Sequence, residues 1–225
     1  MSKLVSRHYQ DAKGEAYYAK VQRVHNDRGH DINCRFFLPY FQQCDDVLDF
    51  GCGAGRLMIC VAGSVRSIEG LEVNPAAADR ARELGYTVYS DLPSIPETKL
   101  FDVVISNHVL EHVRDVCSTL EVLRSHIRPG GRLVVKLPLD DFRSKHQSKW
   151  ARDDVDHHLQ TWTPRLFANC LYEAGFEVEK CAVLTTAWHP RLFPLIRLGA
   201  ARLICWATAL VLRRRQLLAV ARNPM

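Results

Sequence analysis

The chain lacks the features that mark secreted, disulfide-bonded and membrane-spanning proteins. Its first residues contain no apolar segment of the kind that a secretory signal needs. It has eight cysteines, but no two are spaced C-x-x-C, and several lie in apolar runs where a thiol behaves as a small hydrophobic group. An uncharged stretch at residues 203–212 is about half as long as a bilayer span requires. We therefore expect a cytoplasmic protein with reduced thiols.

The sequence also lacks internal repeats, low-complexity tracts and a concentrated basic groove. Of its 225 residues, 47% are hydrophobic, which is enough for a proper core and gives no sign of disorder. The formal charge of +5 would suit an acidic partner, but the basic residues are scattered until Arg213, Arg214 and Arg215. The composition therefore predicts a globular protein that does not bind nucleic acid.

Residues 47–56 read V-L-D-F-G-C-G-A-G-R and carry more functional information than any other segment. The apolar run 47–50 predicts a buried parallel strand, and residues 56–62 predict a helix packed behind it. The glycines between them predict a tight turn at the carboxyl edge of a sheet. Backbone N–H groups and a helix N-terminus would face a ligand there.

The spacing of these glycines separates two classes of cofactor. A dinucleotide fingerprint is G-x-G-x-x-G, and Arg56 stands where its third glycine would be. Asp49 precedes the turn, and Glu72 and Asp91 lie at the predicted ends of the next two strands. These carboxylates would repel a pyrophosphate and attract a cation that carries a ribose diol and an ammonium group. S-adenosylmethionine fits that description, and a nicotinamide-dependent oxidoreductase is the first alternative.

From about residue 46 to residue 176, the sequence resembles the class I S-adenosylmethionine-dependent methyltransferases. The resemblance rests on five elements in order: D-F-G-C-G-A-G, Glu72, the Asp91 loop, F-D-V-V-I-S-N-H-V-L-E-H-V and R-P-G-G-R-L-V-V-K. It implies that the glycine turn holds the methionine part of the cofactor, that Glu72 binds the ribose hydroxyls and that Asp91 lies near the adenine amino group. The residues assigned to the cofactor are Asp49, Phe50, Gly51, Cys52, Gly53, Gly55, Glu72, Val73, Asp91, Leu92, Asn107 and His108.

Strands and helices alternate from residue 46 onward, which predicts an α/β fold with helices on both faces of an open, mostly parallel, seven-stranded sheet. The resemblance implies a Rossmann-like arrangement whose last strand is antiparallel and inserted beside the one before. Residues 1–45 should form an N-terminal helical cap, and residues 46–225 the class I methyltransferase domain. Within that domain we expect an inserted loop at 139–162 and an amphipathic helix at 191–212.

Local signals place several elements more closely. Asn74-Pro75 predicts the capped start of a helix that ends before Gly85. The P-G-G sequence at residues 129–131 predicts a turn, followed by a strand at 132–137.

Histidines are the candidates for the general base that a weak nucleophile would need in methyl transfer. The candidate catalytic residues are His108, His112, His157 and His158. The first follows the fourth strand, where cofactor and substrate meet in the resembling family, and the second lies one helical turn beyond it. The last two lie in the long loop, where Asp153, Asp154 or Asp156 could orient an imidazole.

The same loop carries oxygen and imidazole groups that could bind a divalent metal. Adjacent residues of one loop cannot easily converge on one ion without distant partners. We therefore predict no metal site.

The C-terminal segment 190–215 is basic and apolar. Arg191, Arg202 and Arg213 are spaced by eleven residues, about three helical turns, so they would line one stripe of a helix. Such a helix could pack on the sheet, touch a lipid surface or a lipid-linked substrate, or form a dimer seam.

These features together predict an enzyme that moves the sulfonium methyl of S-adenosylmethionine to an oxygen of a small molecule, in preference to nitrogen or carbon. Analogy at the level of the fold favours sugar, glycan or secondary-metabolite pathways. A catalytically silent methyltransferase-like scaffold is the second alternative, although the intact cofactor residues argue against it.

Overall fold

The computed structural model describes residues 9, 14–16, 32–139, 150, 154, 156–192 and 200–225. Its core is a seven-stranded sheet with strand order β3-β2-β1-β4-β5-β7-β6. The strands are β1 (Asp46–Phe50), β2 (Ser67–Leu71), β3 (Val88–Tyr89), β4 (Phe101–Asn107), β5 (Ile127–Leu139), β6 (Glu177–Leu184) and β7 (Arg215–Arg222). The principal helices are α1 (Arg56–Val61), α2 (Pro75–Glu83), α3 (Val116–Ser125), α4 (Pro164–Glu173) and α5 (Ala201–Leu212).

The direction of the strands confirms the predicted topology. The neighbours from β3 to β5 pair in parallel. Strand β7 runs antiparallel to both of its neighbours, β5 and β6. The sheet is therefore mostly parallel, with its last strand inserted beside the one before.

Alternate residues of the central strands face two separate cores. In β1, Leu48 packs in the core that contains α3 and α4, whereas Val47 packs in the core that contains α1 and α2. Successive side chains of a strand point to opposite faces, so helices on both faces require a nearly continuous apolar run. Cys34 and Cys52 are buried in the second core, and all eight cysteines are free thiols.

Helix α2 begins where the sequence predicts. The Asn74 side chain accepts a hydrogen bond from the Ala77 backbone N–H, and Pro75 occupies the first turn. Gly85 follows the end of the helix with a φ of 89°. Asp115 and Thr163 cap α3 and α4 in the same way.

The predicted turn at residues 129–131 is instead part of the long strand β5. Gly130 has a φ of 80°, and the register between β4 and β5 shifts beside it. Gly130 donates its N–H to the Asn223 carbonyl, and Gly131 accepts from the Asn223 N–H. Because Gly130 and Gly131 stay hydrogen-bonded to Asn223, just after β7, these glycines form a bulge within β5 and do not reverse the direction of the chain.

The helix predicted at 191–212 is present from Ala201 to Leu212, but it does not include Arg191 as predicted. Arg191 lies in a 3-10 turn, helix α5 begins at Ala201, and Arg213 ends it in the left-handed conformation with a φ of 52°. Residues 193–199 lie outside the described residues. Of the three spaced arginines, Arg202 alone lies within α5, so the predicted single stripe does not exist. Like the other helices of the described residues, α5 is not long and apolar enough to cross a membrane.

The expected N-terminal cap is described only in part. Residues 14–16 and 32–34 are helical, and Leu38–Tyr40 forms a 3-10 turn. Most of the remaining residues up to 31, and much of the predicted loop 139–162, lie outside the described residues.

Candidate functional site

The glycine turn connects β1 to α1 at the carboxyl edge of the sheet. Gly51, Gly53 and Gly55 have φ values of 80°, 54° and 75°. The N–H groups of Gly51 and Cys52 donate to the Leu71 carbonyl of β2, at 2.8 and 3.0 Å. This anchor and the left-handed backbone make a rigid turn whose surface is bare main chain.

Two buried carboxylates lie beside this turn. Glu72 accepts hydrogen bonds from the N–H groups of Gly53, at 2.9 Å, and Asn74, at 2.8 Å. Asp49 is 2% exposed, and its Oδ2 has no hydrogen-bond partner among the described residues. Burial, and after it the charge of Glu72, raises the pKa of Asp49 from 3.8 to about 7. The pair therefore concentrates negative charge at the end of β1.

The residues of this turn fit the cofactor that the sequence predicts. A ligand with a positive charge would relieve the repulsion between the two carboxylates and supply a partner for Asp49. S-adenosylmethionine carries a sulfonium and an ammonium group, and the glycines allow it to approach the main chain. Contact of Glu72 with the ribose hydroxyls stays a prediction.

Other predicted cofactor residues occupy positions near the same edge. Asp91 begins the 3-10 turn that follows β3, and its side chain accepts from the Ser94 N–H at 3.0 Å in a capping box. Phe50 and Leu92 are buried in the core, and Val73 packs against it. The structure thus gives Asp91 a local role, and its contact with adenine stays a prediction.

Asn107 and His108 form the end of β4 and the turn after it. His108 has a φ of 59°, which is uncommon for a residue other than glycine, and its N–H donates to the Lys136 carbonyl at 2.8 Å. Lys136 Nζ lies 3.4 Å from both His108 Nε2 and Asn107 Oδ1, and donates to Asn33 Oδ1 at 2.9 Å. Backbone strain of this kind concentrates at functional sites.

Lys136 is a site residue that the sequence reasoning missed. Its side chain is fully buried, and burial lowers its pKa from 10.5 to about 7, against the charge of Glu111, which raises it. It joins the N-terminal segment, through Asn33, to the turn after β4. The available signal was a lysine inside the apolar strand segment L-V-V-K-L.

Glu111 is a second missed residue, and it lies between the predicted histidines. Its Oε1 is 3.7 Å from His108 Nδ1 and 3.8 Å from His112 Nε2, and the residue is 1% exposed. The two histidines therefore face the same group, although the helical turn assumed from their spacing is absent: His108 is left-handed and His112 ends a 3-10 turn. A glutamate within the apolar run V-L-E-H-V was the signal for it.

Two distant segments complete the cluster around His112. The rings of His112 and His158 make an edge contact with centroids 4.9 Å apart. Tyr9 Oη lies 2.8 Å from His112 Nδ1 and donates to the Asp156 carbonyl. The N-terminal segment, the turn after β4 and the long loop thus meet at one place.

His157 is placed differently from its neighbour. It has a φ of 44°, and its N–H donates to Asp154 Oδ2 at 3.1 Å. Asp154 Oδ1 accepts from the Asp156 N–H at 3.2 Å. The Asp154 side chain therefore binds backbone N–H groups of the loop. The sequence predicts that an aspartate of this loop orients an imidazole, but the carboxylate that lies beside His108 and His112 is that of Glu111. Asp153 lies outside the described residues.

The same cluster could hold a divalent metal. Glu111, His112 and His158 each offer a ligand atom, and these atoms lie within 4.8 Å of one another. The sequence argument against a metal assumed that the loop histidines lack distant partners. The fold supplies two such partners for His158, which are Glu111 and His112. One carboxylate and two imidazoles suit zinc or iron. The same arrangement would equally let the Glu111 carboxylate orient the two imidazoles without a metal. The geometry therefore allows either a metal site or a general base.

Comparisons with known proteins match the chain to methyltransferases. A family model described as a methyltransferase domain matches residues 25–180. The ubiquinone biosynthesis O-methyltransferase of Rickettsia felis is 34% identical over 97 residues, which are 40% of this chain and 40% of that protein. The ribosomal protein L11 methyltransferase of Laribacter hongkongensis is 29% identical over 128 residues, 53% of this chain and 42% of that one. The chain thus spans about two fifths of the length of these relatives.

Solved structures show the same fold. A SAM-dependent methyltransferase from Archaeoglobus fulgidus superposes with a TM-score of 0.66 at 19% identity, covering 92% of this chain and 99% of that one. Phosphoethanolamine N-methyltransferase 2 of Haemonchus contortus, solved with S-adenosylhomocysteine, gives a TM-score of 0.66 at 14% identity, covering 100% of this chain and 62% of that one. From the match of the family model over most of its length, together with the glycine turn and its carboxylates, the chain belongs to the class I S-adenosylmethionine-dependent methyltransferases.

Proposed function

We propose that this methyltransferase transfers the methyl group to a hydroxyl oxygen of a small molecule. The observation that carries the proposal is the group of histidines around the buried carboxylate of Glu111, next to the turn after β4. A hydroxyl is a weak nucleophile until its proton is removed, and imidazole titrates near neutral pH. Such a cluster would have little use if the acceptor were already a good nucleophile.

In this proposal, His158, Glu111 and His112 have different roles in the transfer. Bound S-adenosylmethionine supplies an electrophilic methyl group. His158, which is only partly buried, accepts the proton of the acceptor hydroxyl, and the charge of Glu111 stabilises the imidazolium that forms. The buried His112, held through its Nδ1 by Tyr9, positions the His158 ring.

The names of the relatives support two acceptor classes. The Rickettsia felis relative is named for O-methylation in ubiquinone biosynthesis, which supports a small molecule and an oxygen acceptor. The Laribacter hongkongensis relative is named for ribosomal protein L11, so a protein acceptor is the second candidate. Neither name supports the narrower expectation of a sugar, glycan or secondary metabolite, which stays a prediction.

A transfer assay with methyl-labelled S-adenosylmethionine tests the acceptor. We expect label in small hydroxylated compounds, presented as separate pools of phenols and of sugars, and none in purified L11. Label in L11 alone would replace the small-molecule proposal with the protein one. Methylation of amines without methylation of hydroxyls would also contradict it.

Substitution of the loop histidines tests the base, with the adjacent His157 as the matched control. His158→Ala should lower turnover by about 100-fold or more while cofactor affinity is kept, because general-base catalysis contributes that much. His157→Ala should have a small effect, since the ring contact with His112 and the cluster with Glu111 are made by His158.

The same assay separates a base from a metal. If His158 removes the proton, the fall in rate on the acid side of the pH profile, measured at saturating S-adenosylmethionine, should disappear in His158→Ala, and treatment with a chelator should leave the wild-type rate unchanged. Loss of activity on chelation, restored by one divalent ion, would contradict the role of His158 as base.

A further inference from the structure

Helix α5 presents an apolar surface to solvent. Leu203, Trp206, Leu210 and Val211 are 64%, 50%, 50% and 82% exposed. They follow one another at intervals of three, four and one residues, so they lie on one face of the helix. Single exposed apolar residues need no explanation, but a continuous stripe along a helix marks an interaction surface.

The opposite face of α5 fixes the orientation of this stripe. Ala201, Cys205, Thr208 and Ala209 are its buried residues. The Cys205 carbonyl accepts from the Ala187 N–H at 3.1 Å, which ties the helix to the segment after β6. Small residues pack inward, whereas the large apolar side chains point outward, the reverse of what burial of apolar area would favour in water.

The charged side chains that flank the stripe along the chain are all of one sign. The chain has no aspartate or glutamate after Glu179. Arg202 lies at the start of α5, and Arg213, Arg214 and Arg215 follow its end, all of them exposed. A partner that covers an apolar stripe with basic ends must be apolar in the middle and negatively charged at its surface.

We propose that α5 binds the surface of an anionic lipid membrane. The helix would lie in the plane of the interface, with Leu203, Trp206, Leu210 and Val211 in the acyl boundary and the arginines among the phosphates. Tryptophan is a residue that prefers this boundary. A second copy of the chain fits less well, because two copies would bring their arginine clusters together.

Flotation with lipid vesicles tests this proposal. The wild-type protein should float with vesicles of phosphatidylcholine and phosphatidylglycerol, and should not float with phosphatidylcholine alone. The double variant Leu203→Glu, Leu210→Glu should lose at least tenfold in bound fraction, since it places two charges at the acyl boundary. Replacing Arg213, Arg214 and Arg215 with glutamine should weaken binding by roughly fivefold for each arginine.

Leu166→Glu is the matched control, because Leu166 is 54% exposed on helix α4. It should bind vesicles as the wild type does. The proposal is overturned if the wild type does not float with anionic vesicles, or if the control variant loses as much vesicle binding as the double variant. Sedimentation showing a dimer that the double variant alone dissociates, without vesicle binding, would assign the stripe to a second copy.

Discussion

Asp49 combines deep burial with a raised pKa and a neighbouring carboxylate, Glu72. The Asp49 carboxyl has a pKa of about 7 in the folded, cofactor-free protein and 3.8 in the unfolded chain. Between these two pH values, the folded protein holds a proton that the unfolded chain has released. Its contribution to stability is therefore fully present below pH 3.8 and is lost as the pH rises through about 7. A cationic cofactor reverses this preference, because it favours the ionised carboxylate.

This linkage predicts how cofactor affinity depends on pH. As the pH falls below 7, S-adenosylmethionine should bind more weakly, by about tenfold for each unit, because Asp49 must release a proton on binding. Asp49→Asn should bind the cofactor weakly at every pH, with this part of the pH dependence removed. Calorimetric titrations at pH 6 and pH 8 measure both effects.

Asp91→Asn is the control for this substitution. The Asp91 side chain caps its own turn, so the variant should keep the pH dependence of the wild type. Equal pH dependence in wild type and Asp49→Asn would show that Asp49 does not face the cation.

The glycine turn between β1 and α1 shows how one element depends on two separate constraints. A Cβ on Gly51 would lie 2.3 Å from Val109 Cγ2, and the residue has a φ of 80°. Val109 follows His108, so a shift of its side chain also disturbs the turn after β4. Gly51→Ala should destabilise the fold by about 2 to 4 kcal/mol and weaken cofactor binding. Chemical denaturation and a binding titration measure the two losses.

Gly85→Ala separates the two constraints. Gly85 has a similar φ of 89°, but nothing lies within 4 Å of the position of its Cβ. Its substitution should cost only the backbone strain, about 1 to 2 kcal/mol, with cofactor affinity unchanged. If the two variants lose equal stability and both bind the cofactor normally, close packing at Gly51 has no part in the site.

At the scale of the whole molecule, the cofactor should stabilise the domain by mass action. A concentration 100 times the dissociation constant contributes about 2.7 kcal/mol, which corresponds to a rise in Tm of roughly 5 to 10 °C for a chain of this size. NAD at the same concentration should leave Tm unchanged, because the buried carboxylates of Asp49 and Glu72 beside the glycine turn would repel a pyrophosphate. Thermal unfolding followed by fluorescence makes this comparison, and a shift with NAD alone would contradict the cofactor assignment.

Local patterns predicted much of the fold. The cap at Asn74, the apolar run of β1 and the glycine spacing are features of a few neighbouring residues, so they can be recognised in the sequence. The P-G-G segment was misread as a turn because its partner, Asn223, is almost a hundred residues away. The end of α5 at residue 212 was predicted correctly, but its start was placed ten residues too early, because the spacing of the arginines does not show that Arg191 lies in a separate 3-10 turn.

The sequence by itself determined the class of the enzyme, because the glycine turn and the acidic residues at the ends of the first three strands depend only on local geometry and on charge. The tertiary structure alone decided the composition of the histidine cluster. Tyr9, Glu111 and His158 are far apart in the chain and meet because the strand ends converge at one edge of the sheet. It also decided which face of α5 is exposed, because a helix that is apolar on most sides carries no mark of the side that packs inward.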